Sequence, residues 1–201
     1  MKKKKNDVSP KGKAIWPKLS EPETKFDADG VYETNLRLDA ETGQKFLAHL
    51  EEMLEEHHSN VCKEMGKQVK KGSISYKQAE VDGVHTGELD FKFKMKALAG
   101  KAGNKWPQRP KIFDSKGNLQ DPKSIAVGSG STIKVSYSVY PYFTAMVGAG
   151  LSLQLKAVQV LDLVEYGGAS AGSFGFDTEE GFENTEEAGE TENLPDDDSD
   201  F

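Results

Sequence analysis

Cysteine is almost absent: Cys62 stands alone among 201 residues. That excludes an internal disulfide framework and any multi-cysteine zinc site, and it fits a reducing compartment. Long apolar runs are missing too. No stretch reaches membrane-spanning length, and the start Met1-Lys2-Lys3-Lys4-Lys5 is followed by no apolar segment of signal-peptide length, so a soluble, unexported protein without a membrane role is expected. Neither a phosphate-cradling Gly-x-x-x-x-Gly-Lys-Ser/Thr loop nor a Gly-x-Ser-x-Gly nucleophile elbow occurs; Gly128-Ser129-Gly130 is too short for either and reads as a turn. His58 and Cys62 lie one helical turn apart, but two further metal ligands at sensible spacing are lacking. Paired carboxylates abound only in the C-terminal tail and on an outer helix face, where no tuning for acid–base work is expected. The chain is therefore not expected to be an enzyme, and no cofactor or metal is implied.

One segment lacks positive charge altogether. Asp177 to Phe201 contains twelve Asp and Glu and no Lys or Arg, and closes as Asp196-Asp197-Asp198-Ser199-Asp200-Phe201. The whole chain has 26 basic and 33 acidic residues, so without this segment 26 basic face 21 acidic, a net charge of +5. An overall pI near 5.2 thus conceals a basic body behind an acidic tail. That arrangement suits a domain that binds a polyanion, joined to a segment that imitates one or recruits other proteins.

Three regions are expected: a basic N-terminal arm over 1–30, with eight lysines by Lys25; one β-rich domain over 31–168; and a disordered acidic tail over 169–201. Within the arm, Ala14-Ile15-Trp16-Pro17 is an apolar island, and no regular element is expected there. Val31 to Leu38 alternates as a strand, with Tyr32, Thr34, Leu36 and Leu38 on one face. From Glu41 the period changes, with Phe46, Leu47, Leu50, Met53, Leu54, His57, Val61, Cys62 and Met65 recurring at three- and four-residue spacing, marking an amphipathic helix that Gly66 or Gly72 ends. Lys67 to Gly87 reads as a long connection. A clear strand follows, in which Leu89, Phe91, Phe93, Met95 and Ala97 alternate with a face carrying Lys92, Lys94 and Lys96. Gly100 to Pro110 reads as a loop, Lys111 to Asp114 as a short strand, and Ile125 to Val127 as a brief pairing. Ile133 to Val139 alternates until Pro141 ends the run, and a last strand starts at Leu151. Five or so strands with one inserted helix predict a mainly β protein, with the five-stranded Greek-key OB barrel a natural candidate.

Lysines about 7 Å apart on one strand face can follow a phosphate backbone, and interleaved rings can stack unpaired bases. The candidate DNA-binding residues are Lys92, Lys94, Lys96, Lys111 and Lys134, with Trp106, Tyr142 and Phe143 as rings read in loop or turn segments. Phe91 and Phe93, on the apolar side, read as core.

Several words in this order resemble a known family: Phe91-Lys92-Phe93-Lys94, Asp114-Ser115-Lys116-Gly117, Gly128-Ser129-Gly130-Ser131 running into Lys134-Val135-Ser136-Tyr137-Ser138, Pro141-Tyr142, Val147-Gly148-Ala149, Leu153-Gln154-Leu155, and the acidic end closing on Asp200-Phe201. The chain resembles the replicative single-stranded DNA-binding protein of T-seven-like bacteriophages, well from 88 to 168 and at the tail, thinly before. The resemblance implies an OB-fold with an extra helix, a homodimer, binding and annealing of single-stranded DNA in replication, recombination and repair, and residence in the cytoplasm of the infected host. It also implies that Tyr142 stacks on a base, that Lys94 meets DNA, and that Asp196, Asp197, Asp198, Asp200 and Phe201 engage the phage DNA polymerase and helicase–primase. Departures stand beside it: Asp29 replaces a basic residue before Gly30-Val31-Tyr32, Ser136 replaces a lysine, and a tryptophan after Pro-Tyr is missing, with Phe143 as a substitute. The competing reading is a protein-interaction or chaperone-like module that uses the tail without a direct DNA role.

Overall fold

The structure is a computed structural model that describes residues 6–101, 103–122 and 124–165. The tail residues Asp196, Asp197, Asp198, Asp200 and Phe201 lie outside the described residues. In chain order the elements are β1 (Asp7–Val8), β2 (Gly12–Glu23), β3 (Val31–Leu38), α1 (Ala40–Met65), β4 (Lys71–Ile74), β5 (Tyr76–Val81), β6 (Val84–Lys96), β7 (Leu98–Lys101), β8 (Asn104–Pro107), β9 (Lys111–Phe113), β10 (Leu119–Gln120), β11 (Thr132–Thr144) and β12 (Gly148–Asp162). The protein is mainly β with one helix.

The period-2 pattern of β3 is realised in full: Tyr32, Thr34, Leu36 and Leu38 are buried and the residues between them are half-exposed. β6 lies antiparallel to it with Thr34 opposite Phe93 and Leu36 opposite Phe91, which puts both phenylalanines in the core. β2 pairs with β3, β12 runs parallel to β6, and β11 pairs antiparallel with both β12 and β2. The path β2-β3-β6-β12-β11 therefore returns to its start. Around this circuit, β1 adds to β11, β5 to β6, β10 to β9, and both β4 and β9 to β12, while β7 and β8 form a separate ribbon. Along one edge β12 is served in turn by β4 at Ala149 and Leu151, by β6 at Leu153 and Gln154, and by β9 at Ala157 to Gln159, each parallel to it.

Helix α1 starts where Asp39 accepts a hydrogen bond from the Thr42 amide at 2.9 Å and ends at Gly66 in the left-handed conformation. Its buried stripe, Phe46, Leu47, Leu50, Leu54 and Val61, is part of the one read from spacing; Met53, His57 and Cys62 are only half-buried and Met65, in the last turn, is exposed. Phe46 meets Phe91 edge-on at 4.8 Å and Tyr137 at 5.9 Å, joining the helix to the sheet core.

Several expectations need correction. The segment over 1–30 is not only an arm: β2 occupies Gly12–Glu23 and buries Ala14 and Leu19. Its alternation is hidden because Trp16 takes a left-handed φ of 49° and the register with β3 slips between Ile15 and Lys18. The long connection over 67–87 contains β4 and β5, and β5 turns into β6 through Asp82-Gly83, both at positive φ, as a tight two-residue hairpin requires. The loop over 100–110 holds most of the β7–β8 ribbon. Pro141 does not end its strand; β11 continues to Thr144 with Pro141 opposite Leu151. Beyond Tyr137 only β12 is paired with β11 among the described residues, and an open edge tolerates a residue without an N–H. Ile125–Val127 contributes a single bridge, Val127 to Glu165.

Candidate nucleic-acid interface

On the outer face of β6 the three lysines stand in a row, as alternation requires, but none stands alone. Lys92 Nζ lies 2.9 Å from Glu33 Oε2, Lys94 Nζ lies 3.9 Å from the same oxygen, and Lys96 Nζ lies 3.8 Å from Asp27. Glu33 sits directly across from Lys94 on β3. Asp29, the acid at the position before Gly30-Val31-Tyr32, is paired with Lys105 on β8 at 2.5 Å. Such half-exposed pairs contribute little to stability and can exchange for other anions. Trp106, on β8 rather than in a loop, is 53% exposed, with its ring close to Gly100.

A different arrangement occurs where β9, β11 and β12 meet. A cleft of about 550 Å³ gathers Arg109 from the β8–β9 connection, Lys111 from β9, Lys134 from β11 and Lys156 from β12 over an apolar wall that includes Phe113 and Val158. Lys111 lies opposite Ala157 and Lys134 opposite Gln159, so strand register brings these two together. Among the described residues none of the four cations pairs with a carboxylate. Arg109 Nε donates to the Tyr32 hydroxyl at 3.3 Å, and Lys156 Nζ donates to Gln154 Oε1 at 3.4 Å. Ser136, at the position of an expected lysine, also lines this cleft.

Lys111 and Lys134 were legible as candidates, whereas Arg109 and Lys156 were missed. Lys156 carried a signal, since it falls on the polar side of the Leu151-Leu153-Leu155 alternation. Arg109 carried none.

Tyr142 and Phe143 belong to β11, not to a loop or turn. Tyr142 shares the outward parity of Lys134 and Ser136, eight residues and about 27 Å along the strand from Lys134. Its ring lies over Gly150, where a Cβ would come within 2.4 Å of the hydroxyl, so only glycine allows the approach. His57 Nε2 on α1 is 2.9 Å from the Tyr142 carbonyl, tying this end of the hairpin to the helix. Phe143, 37% exposed, falls on the opposite parity. The sequence candidates are thus distributed over β6, β8, β9 and β11 and do not share one pocket.

Two motifs have structural explanations. Gly128-Ser129-Gly130-Ser131 clasps β2 to the chain just beyond β12: Gly130 N donates to the Ala14 carbonyl at 2.8 Å, Gly128 N to the Val164 carbonyl at 2.7 Å, and the buried Ser131 hydroxyl accepts from Val164 N at 2.9 Å. Cys62 Sγ lies 3.6 Å from His58 Nε2, and no group of three or more His, Cys, Asp or Glu among the described residues is arranged to hold a metal.

The family model described as single-stranded DNA-binding protein, bacteriophage T7, matches residues 15–163, from within β2 to just past β12. The chain belongs to this family. Within the T7 single-stranded DNA-binding protein family, the protein from enterobacteria phage T3 is 34% identical over 102 residues, which is 45% of this chain and 44% of that protein. The one from Escherichia phage T7 is 41% identical over 58 residues, 28% of this chain and 25% of that protein. The matched regions thus span less than half of these relatives. The solved structure of gp2.5, a single-stranded DNA-binding protein encoded by bacteriophage T7, superposes with a TM-score of 0.68 at 25% identity, covering 90% of this chain and 98% of that one. The single-stranded DNA-binding protein of bacteriophage Enc34, solved in complex with single-stranded DNA, shares the fold at a TM-score of 0.58 and 14% identity, over 84% of this chain and 96% of that one.

Proposed function

We propose that this protein binds single-stranded DNA without sequence preference, along a strip that starts in the cleft of Arg109, Lys111, Lys134 and Lys156 and continues over the outer faces of β12, β11 and β6. The observation that carries this reading is the cleft itself, four cations with no carboxylate partner among the described residues, beside a sheet face bearing more lysines. Cations hold phosphates, and the exposed rings of Trp106 and Phe143, with the half-buried ring of Tyr142, stack bases. The β2-β3-β6-β12-β11 circuit, antiparallel except where β6 meets β12, supports the reading of a five-stranded OB barrel with an inserted helix.

The protein acts without catalysis in the infected bacterial cytoplasm, coating and annealing strands during phage replication, recombination and repair. It works as a homodimer, and its acidic tail occupies the basic strip until DNA displaces it. Freed, Asp196, Asp197, Asp198, Asp200 and Phe201 recruit the phage DNA polymerase and helicase–primase.

The test is a titration of full-length and tail-deleted protein with single- and double-stranded oligonucleotides at several salt concentrations. Tight single-strand binding whose logarithm falls steeply with log salt is expected, together with tighter binding at low salt once Asp177 to Phe201 is removed. No shift of oligo-dT under any salt condition would overturn the DNA reading in favour of a protein-interaction module. Unchanged or weaker affinity on tail deletion would overturn the competition.

A further inference from the structure

We infer that a second hollow, walled by Trp16, is a nucleobase-stacking subsite that extends the strip beyond the cleft; this rests on the single-stranded DNA reading above. The hollow, of about 530 Å³, lies between β2 and the segment before β11, and Arg109 lines it as well as the basic cleft. One guanidinium thus borders both spaces. Its volume is within the range of small-ligand sites.

Trp16 is 71% exposed although it belongs to a paired strand. Its left-handed φ of 49° is a conformation that bulky residues adopt rarely, and it coincides with the register slip of β2. The backbone there is held from outside: Trp16 N donates to Ser129 Oγ at 3.4 Å, and the Ala14 carbonyl accepts from Gly130 N. An indole kept in solvent beside apolar Pro17, Leu19 and Val127 offers a flat face and an apolar floor, which a base can fill. Arg109 and Lys18 supply cations for flanking phosphates, whereas Glu21 on the rim repels them. The DNA backbone therefore enters from the Arg109 side and its base turns inward onto Trp16.

Trp16→Gly removes the ring while glycine adopts the same φ without strain, so the fold is preserved. Loss of one stacked base should weaken oligo-dT binding about 5- to 150-fold with an unchanged salt slope. Binding of an abasic oligomer of equal length should not change. Equal affinity of wild type and variant for oligo-dT overturns the subsite, and equal weakening for oligo-dT and the abasic oligomer does so too, because Trp16 then only supports the cleft. Wild type that fails to bind oligo-dT overturns the underlying reading instead. A second measurement uses Trp106→Phe, which leaves Trp16 as the sole tryptophan of the two in the chain. Its emission should be quenched as labelled oligo-dT binds by anisotropy, and binding without a change in emission overturns stacking.

Discussion

The outer face of β6 and the cleft between β9, β11 and β12 hold similar numbers of cations and differ in what those cations already touch. Lys92, Lys94 and Lys96 face Glu33 and Asp27 from β3 and the segment before it, so an incoming phosphate must displace a carboxylate. Arg109, Lys111, Lys134 and Lys156 meet only neutral partners or none among the described residues, so their field is unspent before a ligand arrives. Positive charge on a strand face is therefore not the same as positive potential, and the neighbouring strand decides which one results.

The strongest challenge to this contrast is to replace Arg109, Lys111, Lys134 and Lys156 together by alanine. At about 1 kcal/mol for each lost contact, binding of oligo-dT at low salt should fall roughly a thousandfold. The salt slope should shrink by about 0.7 for each phosphate contact removed. If Lys92, Lys94 and Lys96 changed together cost as much in a fluorescence-anisotropy titration, the two regions are equivalent and the contrast fails.

The next effect is on stability. Arg37 holds Asp90, which is 1% exposed, through two bonds of 2.8 and 3.0 Å, and this pairing raises the pKa of Arg37 above its ordinary value. Arg37→Ala strands a buried carboxylate on the β3–β6 face and should cost about 3 kcal/mol or more in urea unfolding. A loss below about 1 kcal/mol would mean that the charges of this face are not structural.

A smaller and opposite change is expected from Glu33→Gln. Freeing Lys92 and Lys94 should tighten single-strand binding several-fold and steepen the salt slope by about 0.7 per lysine engaged. Unaltered binding would show that DNA does not cross this face.

The smallest effect at neutral pH belongs to Tyr137→Phe. Burial, and then the charge of Asp7, push the Tyr137 phenol from 10.0 up to about 12. The folded chain keeps this proton where the unfolded chain has lost it, so the stabilisation is whole below pH 10 and disappears as the pH rises towards 12. Thermal melts should show the alkaline decline of wild type blunted in the variant, with little difference at pH 7.

β3, α1, β6 and most of β11 were legible because each buries one continuous stripe, and a single strand or helix carries that pattern in its own residues. β2 was not, since Trp16 and the slip after Ile15 break the alternation. The β7–β8 ribbon is short and exposed, so its Gly, Trp and Pro residues carry only loop chemistry. At the candidate site, Lys111 and Lys134 could be named from their strands, but the carboxylate beside Lys92 is 59 residues away in the chain. Register between distant strands is not written in either one alone. Arg109 illustrates the same point: a lone cation in a connection gains meaning only when β9 and β12 place it beside other cations.

The relay of parallel partners along β12 also has a consequence in time. Three segments between residues 71 and 113, β4, β6 and β9, each find a parallel partner in β12, the last strand described, and β2 meets β11 across more than a hundred residues, as at Lys13 and Thr132. Loop closure on that scale precedes most of the contacts that reward it, so folding belongs to the slow, millisecond-to-second regime of non-local β proteins. During synthesis one edge each of β2 and β6 stays unpaired until β11 and β12 have emerged, and an open strand edge at that stage is a template for intermolecular pairing.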